Sequence, residues 1–293
     1  IEAGALAEGF EAMPVDSLSA GRPIRQDIAD NSRIDAAFDA ITYGKGGHVV
    51  GMIAGFMGEA RFLEGVHRYM AAHRHGSATS ADFFAAMAEA SGDSRILPAM
   101  QGFIGQQGVP LLTFTGSRQG RLSVSQSRYA ALGMTPPASR WSVPLCLRQG
   151  TARACRLLDT AEANLDLTSL NLPGKGAVMP NAGGTGYYRF ELPRRAWNRL
   201  IAEADRLPAG EALALADSLE ASFRAGRASV RQLAALAGKL ARNPDGHASA
   251  AATRALRALI GSGVIGGEAM PAWRRFVLRL YAPVLARLGF DPR

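Results

Sequence analysis

Five histidines and two cysteines are the side chains best suited to metal or redox chemistry in this 293-residue chain. His67, His73 and His75 lie close together in sequence, as metal-binding imidazoles often do. The step of six residues from His67 to His73 leaves the shared i, i+3, i+4 face of a helix, so the group reads as a solvated helix end. Cys146 and Cys155 are too few for a disulfide framework and lack a C-x-x-C spacing. They flank Gln149-Gly-Thr-Ala152, and in a hairpin where residue 148 faces 153, residue 146 faces 155. Two outcomes fit that placement: a cross-strand disulfide in an oxidising compartment such as the periplasm, or two small buried hydrophobes.

The elements that must carry these residues change character twice along the chain. From residue 34 to 108, apolar residues recur at helical spacing (Val49, Ile53, Phe56 and Met57, then Phe62, Val66, Tyr69 and Met70), which predicts three or four helices. Thr79 and Asp82 form a capping box ahead of Phe83, Phe84 and Met87, and that helix is expected to end at Ser91-Gly92. After Pro110 the pattern becomes short alternating runs over 111–115, 121–129, 141–147, 153–158 and 186–192, which predicts a small β-sandwich. From about Arg194 onward, amphipathic Ala-, Leu- and Arg-rich stretches predict antiparallel, solenoid-like helix pairs. Their breaks fall at Pro208-Ala-Gly, Gly226, Asn243-Pro-Asp-Gly and residues 261–267, with Gly226 and Gly246 expected as left-handed helix ends.

Composition excludes several classes. With 47% hydrophobic residues the chain has apolar material for two or three packed cores. Its net charge of +8 rests on 33 basic residues, of which only Lys45, Lys175 and Lys239 are lysines, a style expected of a GC-rich genome. The arginines are scattered, without a run of five or six like charges or aromatic interleaving, which argues against a nucleic-acid partner. The longest apolar stretch, residues 49–57, is about half of what a bilayer requires, so no membrane span is expected. The chain opens at Ile1 without a Met, a basic n-region or an apolar h-region. Any targeting segment is therefore expected to have been removed or to lie outside this sequence, leaving bacterial cytoplasm and periplasm both open.

Several motifs follow one another in a telling order. Phe38-Asp-Ala-Ile-Thr-Tyr43-Gly-Lys45-Gly46 precedes Met57-Gly-Glu59, then Gly65 with Tyr69, then Ala78 to Phe83. Gln107-Gly-Val-Pro110, Trp141-Ser-Val-Pro-Leu145 and Asn181-Ala-Gly-Gly-Thr-Gly186-Tyr-Tyr-Arg189 come later. Each alone is weak, and an isolated Tyr-x-Lys-Gly reads as a buried aromatic at a helix start. Taken in order, they resemble the end of the catalytic domain, the β-sandwich and the start of the helical C-terminal domain of M1 (gluzincin) zinc aminopeptidases, of the aminopeptidase N and ERAP type.

That resemblance implies a multidomain α+β fold. Residues 1–108 would be the helical end of a thermolysin-like domain, 109–193 a β-sandwich and 194–293 the first part of an α-helical, solenoid-like domain. It implies a parent enzyme that removes N-terminal residues from peptides, with Tyr43 donating a hydrogen bond to the oxyanion of the tetrahedral intermediate. Lys45 and Gly46 would serve the turn and the close approach of the helix, without a catalytic role. In the family, zinc is held by a His-Glu-x-x-His helix and a Glu on the following helix. Here none of His48, His67, His73, His75 or His247 is followed by Glu, and no Gly-x-Met-Glu-Asn occurs. The zinc and the substrate-amine anchor are thus expected on the N-terminal half of the same enzyme, and this chain is expected to be a segment cut at both ends and inactive alone. A non-catalytic binding or scaffold protein derived from M1 C-terminal domains is the alternative reading.

Overall fold

The computed structural model describes residues 2–26, 30–31, 34–116, 120–172, 176–261, 263 and 266–289. Lys175, three positions of the predicted 261–267 break and the closing Asp291-Pro292-Arg293 lie outside the described residues.

The first helix, α1 (Ala3–Asp16), carries no side-chain N-cap and has Pro14 inside it. Weak local signals of this kind hid it from the sequence reading. Packing holds it instead, through buried Leu6, Phe10 and Met13 at helical spacing. Four more helices follow, as the periodicity predicts: α2 (Gly46–Met57), α3 (Glu59–Ala72), α4 (Ser80–Ser91) and α5 (Ile96–Gly105). The Thr79 and Asp82 capping box forms as predicted, with the Asp82 carboxylate accepting from the Thr79 amide at 2.7 Å. Gly92 then ends α4 in the left-handed region. Between these helices Ile53, Met57, Phe84, Met87, Ile96 and Met100 make a satellite core.

Two small antiparallel sheets come next. One has the order β5-β2-β1-β7 and the other β4-β3-β6, where β1 is Pro110–Thr115, β2 Arg121–Arg128, β3 Val143–Gln149, β4 Ala152–Leu158, β5 Glu162–Asp166, β6 Val178–Met179 and β7 Arg189–Glu191. The exception to the antiparallel pattern is β7, which lies parallel to β1. The 146–155 register is the one that the hairpin spacing predicts, and the two cysteines are joined with their Cα atoms 4.0 Å apart. Strands β5 and β6 lack an alternating pattern long enough to be read in sequence.

Five helices complete the chain: α6 (Arg194–Glu203), α7 (Ala209–Arg224), α8 (Val230–Leu240), α9 (Gly246–Gly261) and α10 (Met270–Arg287). Gly226 takes the expected left-handed end, but Gly246 does not: it is the first residue of α9. There the Asp245 carboxylate accepts from the Ala248 amide at 2.9 Å, so Asn243-Pro-Asp-Gly is a helix start as well as a stop. One apolar core runs from Leu6 and Phe10 through Phe114, Trp141 and Phe190 to Leu213, Leu236 and Leu259, so it draws on α1, both sheets and α6 to α9.

Glycine pairing closes the contact between the sheets and α7. Gly184 has a φ of +70°, and a Cβ there would fall onto the Gly210 carbonyl. Gly184→Ala is expected to cost about 2–4 kcal/mol in urea unfolding, from left-handed strain plus overpacking. Gly47→Ala, with open space on an exposed turn of α2, is expected to be neutral or slightly stabilising. Equal effects at the two sites would contradict this packing. The chain isolated without reductant and then denatured should show no free thiol; finding two would remove the Cys146–Cys155 bridge.

Candidate functional site

Tyr43 sits in a single π-helical turn, Ile41–Lys45, which leads directly into α2. The Gly46 amide closes it onto the carbonyl of Ile41, five residues back, which is the wide spacing found at functional insertions in helices. Within that turn the side chains separate sharply. Ile41, Gly44 and Lys45 point inward and are buried, while Tyr43 is 60% exposed. The phenol is therefore presented outward and is not the buried aromatic that an isolated motif suggests. Phe38, 62% exposed, lies beside it with ring centroids 6.0 Å apart.

Asp39 anchors the turn. Its Oδ1 accepts from the amides of Ile41 and Thr42 at 2.9 and 3.0 Å and from Arg22 Nη2 at 2.6 Å. Burial opposes the charge, but the Thr42 amide and the Arg22 guanidinium outweigh it and hold the carboxyl below its usual range. The sequence reading passed over Asp39, although a carboxylate two and three residues ahead of free amides is a readable turn signal.

Lys45 and the neighbouring glycines correct the sequence expectation. Gly44, not Gly46, makes the close approach: a Cβ on it would lie 2.9 Å from the Glu8 carbonyl of α1. Lys45 does more than serve the turn. Its side chain is fully buried, 3.0 Å from Asp16 Oδ2, and donates to the Gln106 carbonyl at 2.7 Å. Burial lowers the Lys45 pKa, and the Asp16 carboxylate holds back part of that shift.

Asp16 is a meeting point. It also accepts from the Gly108 amide at 2.9 Å and from the Tyr187 hydroxyl at 3.1 Å. Burial, followed by the Asp16 charge, pushes the Tyr187 phenol well above its ordinary pKa. The Asn181 to Arg189 motif is thereby explained residue by residue. Asn181 exchanges two 2.9 Å hydrogen bonds with Gly186, Tyr188 donates to the Pro180 carbonyl, and Arg189 forks onto Asp217 at 2.8 and 3.0 Å. Arg189 also donates to Ser17 Oγ at 3.0 Å and lies over the Tyr129 ring.

His48, 2% exposed, stands edge-on to Phe10 and Tyr187, and neither ring nitrogen has a well-placed partner. Burial drives its pKa down to about 4, partly offset by the backbone around Gly184 and by Asp217. The other histidines stay apart from any such site: His67 is exposed on α3, while His73 lies just past that helix against the Tyr69 ring. Among the described residues no three His, Cys, Asp or Glu are grouped to hold a metal ion. The described side chains therefore do not fit a zinc centre. No described helix is long and apolar enough to cross a membrane.

Comparison with known proteins finds matches at both ends of the chain. Residues 2–103 match the family model described as the peptidase family M1 domain, and residues 177–293 match that of the ERAP1-like C-terminal domain. Puromycin-sensitive aminopeptidase of Caenorhabditis elegans is 25% identical over 289 residues, 95% of this chain and 30% of that protein. Tricorn protease-interacting factor F2 of Thermoplasma acidophilum is 26% identical over 219 residues, 75% of this chain and 26% of that protein. Aminopeptidase M1 of Arabidopsis thaliana is 30% identical over 167 residues, 56% of this chain and 19% of that protein. The chain thus spans about a third or less of the length of these relatives.

The His48 environment predicts an acid limb in stability. In the unfolded chain His48 titrates near 6.5, against about 4 in the fold, so between these values the unfolded state holds the extra proton. Stability is therefore expected to fall by up to about 3 kcal/mol as pH drops through that window. His48→Leu should remove this part of the slope in urea unfolding. Identical slopes for the two proteins would mean that the imidazole is solvated or partnered in solution.

Proposed function

We propose, from the premise that this chain belongs to peptidase family M1, that it is part of an aminopeptidase acting on peptides and that Tyr43 is its oxyanion donor. The observation that carries the reading is the outward phenol on a π-helical turn whose flanking residues are clamped inward. A phenol held this way can donate its proton in a hydrogen bond to a carbonyl oxygen as that oxygen gains charge in the tetrahedral intermediate. The turn is set before substrate arrives, so little reorganisation is needed at the moment of reaction. Asp39 and Lys45 orient the turn and do not touch the substrate in this reading.

The remaining machinery would come from outside this chain. Zinc in the parent enzyme, its ligands and the group that anchors the substrate amine are assigned to the N-terminal half of the same protein, and this chain alone is expected to be inactive. Residues 1–108 form the end of the catalytic domain in this proposal, 109–193 a β-sandwich domain and 194–293 the first part of the helical C-terminal domain. The clamped turn and the two family matches support this division.

The test is hydrolysis of aminoacyl-anilides by the chain alone and after mixing with the parent's N-terminal half, with zinc present. Activity is expected only in the mixture, and Tyr43→Phe should lower kcat by about two to three orders of magnitude. A rate essentially unchanged by Tyr43→Phe would remove the oxyanion role. No activity in a demonstrated complex would favour a scaffold.

A further inference from the structure

The groove between α6 and α8 carries chemistry that the Tyr43 reading does not use. Its walls are Arg194, Ile201 and Ala202 on α6, and Arg227, Arg231 and Lys239 on and before α8, around a cleft of about 900 Å³. No acidic side chain lines it among the described residues. Arg227 and Lys239 reach carboxylates only at 3.7 and 3.8 Å, to Glu191 and Asp205, while Arg194 and Arg231 form no ion pair among the described residues.

Backbone charge adds to this imbalance. Arg194 is the first residue of α6, which has neither a side-chain cap nor an acid in its first turn. Arg231 stands in the first turn of α8, which also lacks an acid there. The positive ends of two helix dipoles thus meet unpaired guanidinium groups, an arrangement that repels itself and that an anion relieves. From Arg231 to Lys239 the groove wall rises roughly 12 Å, the length of about four extended residues. Ile201, Ala202 and Ala235 give it small apolar contacts, and no aromatic side chain lines it among the described residues, which offer a nucleic-acid base no stacking surface.

We propose that this groove binds an acidic peptide segment in extended conformation. Glutamate or aspartate side chains of that segment would sit against Arg194 and Arg231, with small apolar side chains on the alanines. The inference stands independently of Tyr43.

The probe is a fluorescein-labelled six-residue peptide alternating glutamate with alanine, titrated with the full chain by fluorescence anisotropy at about 20 mM and about 500 mM salt. Binding at low salt is expected, lost at high salt. The pair Arg194→Glu and Arg231→Glu should weaken it by about tenfold or more. The pair Arg195→Glu and Arg199→Glu makes the same charge change on α6 outside the groove and should leave affinity within about twofold. Circular dichroism of both variants checks that these exposed substitutions leave the fold intact. Equal losses in the two pairs would assign binding to overall charge and overturn the proposal. So would tighter binding of a thymine oligonucleotide than of the peptide, displacement by an equal concentration of inorganic phosphate, or no binding at low salt.

Discussion

The buried charge of Asp16 is the constraint on which the site depends. A carboxylate without solvent must be matched, and here it is matched by groups from three separate stretches: the Lys45 ammonium, the Gly108 amide and the Tyr187 hydroxyl. Breaking a pair of this kind by removing one partner typically costs about 3–5 kcal/mol, because the other charge is left buried and alone. Pulling Lys45 outward is thus closed to the chain. With Lys45 held in and Gly44 pressed on α1, the π-helical turn leaves the side chain at position 43 no direction but out. The exposure of Tyr43 is a consequence of burial two residues later.

The same logic extends beyond Asp16. Arg189 spans from Ser17 beside α1 to Asp217 on α7, and Arg148 of β3 places Nε 2.7 and 2.9 Å from the two oxygens of Glu211 on α7. Glu211 also accepts from the Gly183 amide at 3.0 Å, next to the glycine contact that seats the turn between β6 and β7. Burial works against the Arg189 charge, and the Asp217 carboxylate more than compensates, so its pKa is raised. These are planar, two-pronged contacts with narrow angular tolerance. They tie β3 and β7 to α7 and, through Ser17, to the end of α1.

How much of this was legible in sequence follows from the range of each interaction. The Thr79 and Asp82 cap and the 146–155 register were readable because their partners lie three and nine residues apart and the geometry of a helix start or a tight hairpin does the rest. Tyr43 was singled out through an ordered set of motifs, not through its own chemistry. The partner of Lys45 was beyond reach, since Asp16 lies 29 residues away on a helix with Pro14 inside and no cap, which local propensity argues against. His48 shows the same limit: nothing around it in sequence announces that Phe10 and Tyr187 will enclose it. Gly246 failed for a different reason, because glycine next to Asp245 suits a helix start as readily as a helix end.

Adhesion and orientation are supplied by different terms in this molecule. The apolar core from Leu6 to Leu259 is continuous, and hydrophobic burial would hold α1, the sheets and the later helices together at many relative angles, since it carries no direction. Replacing polar groups by apolar ones of similar volume is often neutral for stability, so the buried pairs are poorly explained as a source of adhesion. What they add is direction. Asp16, Arg189 and Glu211 each accept only one geometry, and each joins stretches of chain that the core alone would let slide. A donor for a developing oxyanion must be aimed to within a fraction of an ångström. In the role proposed for Tyr43, polar contacts buried beneath the π-helical turn are the means by which a non-directional core would hold it to that tolerance.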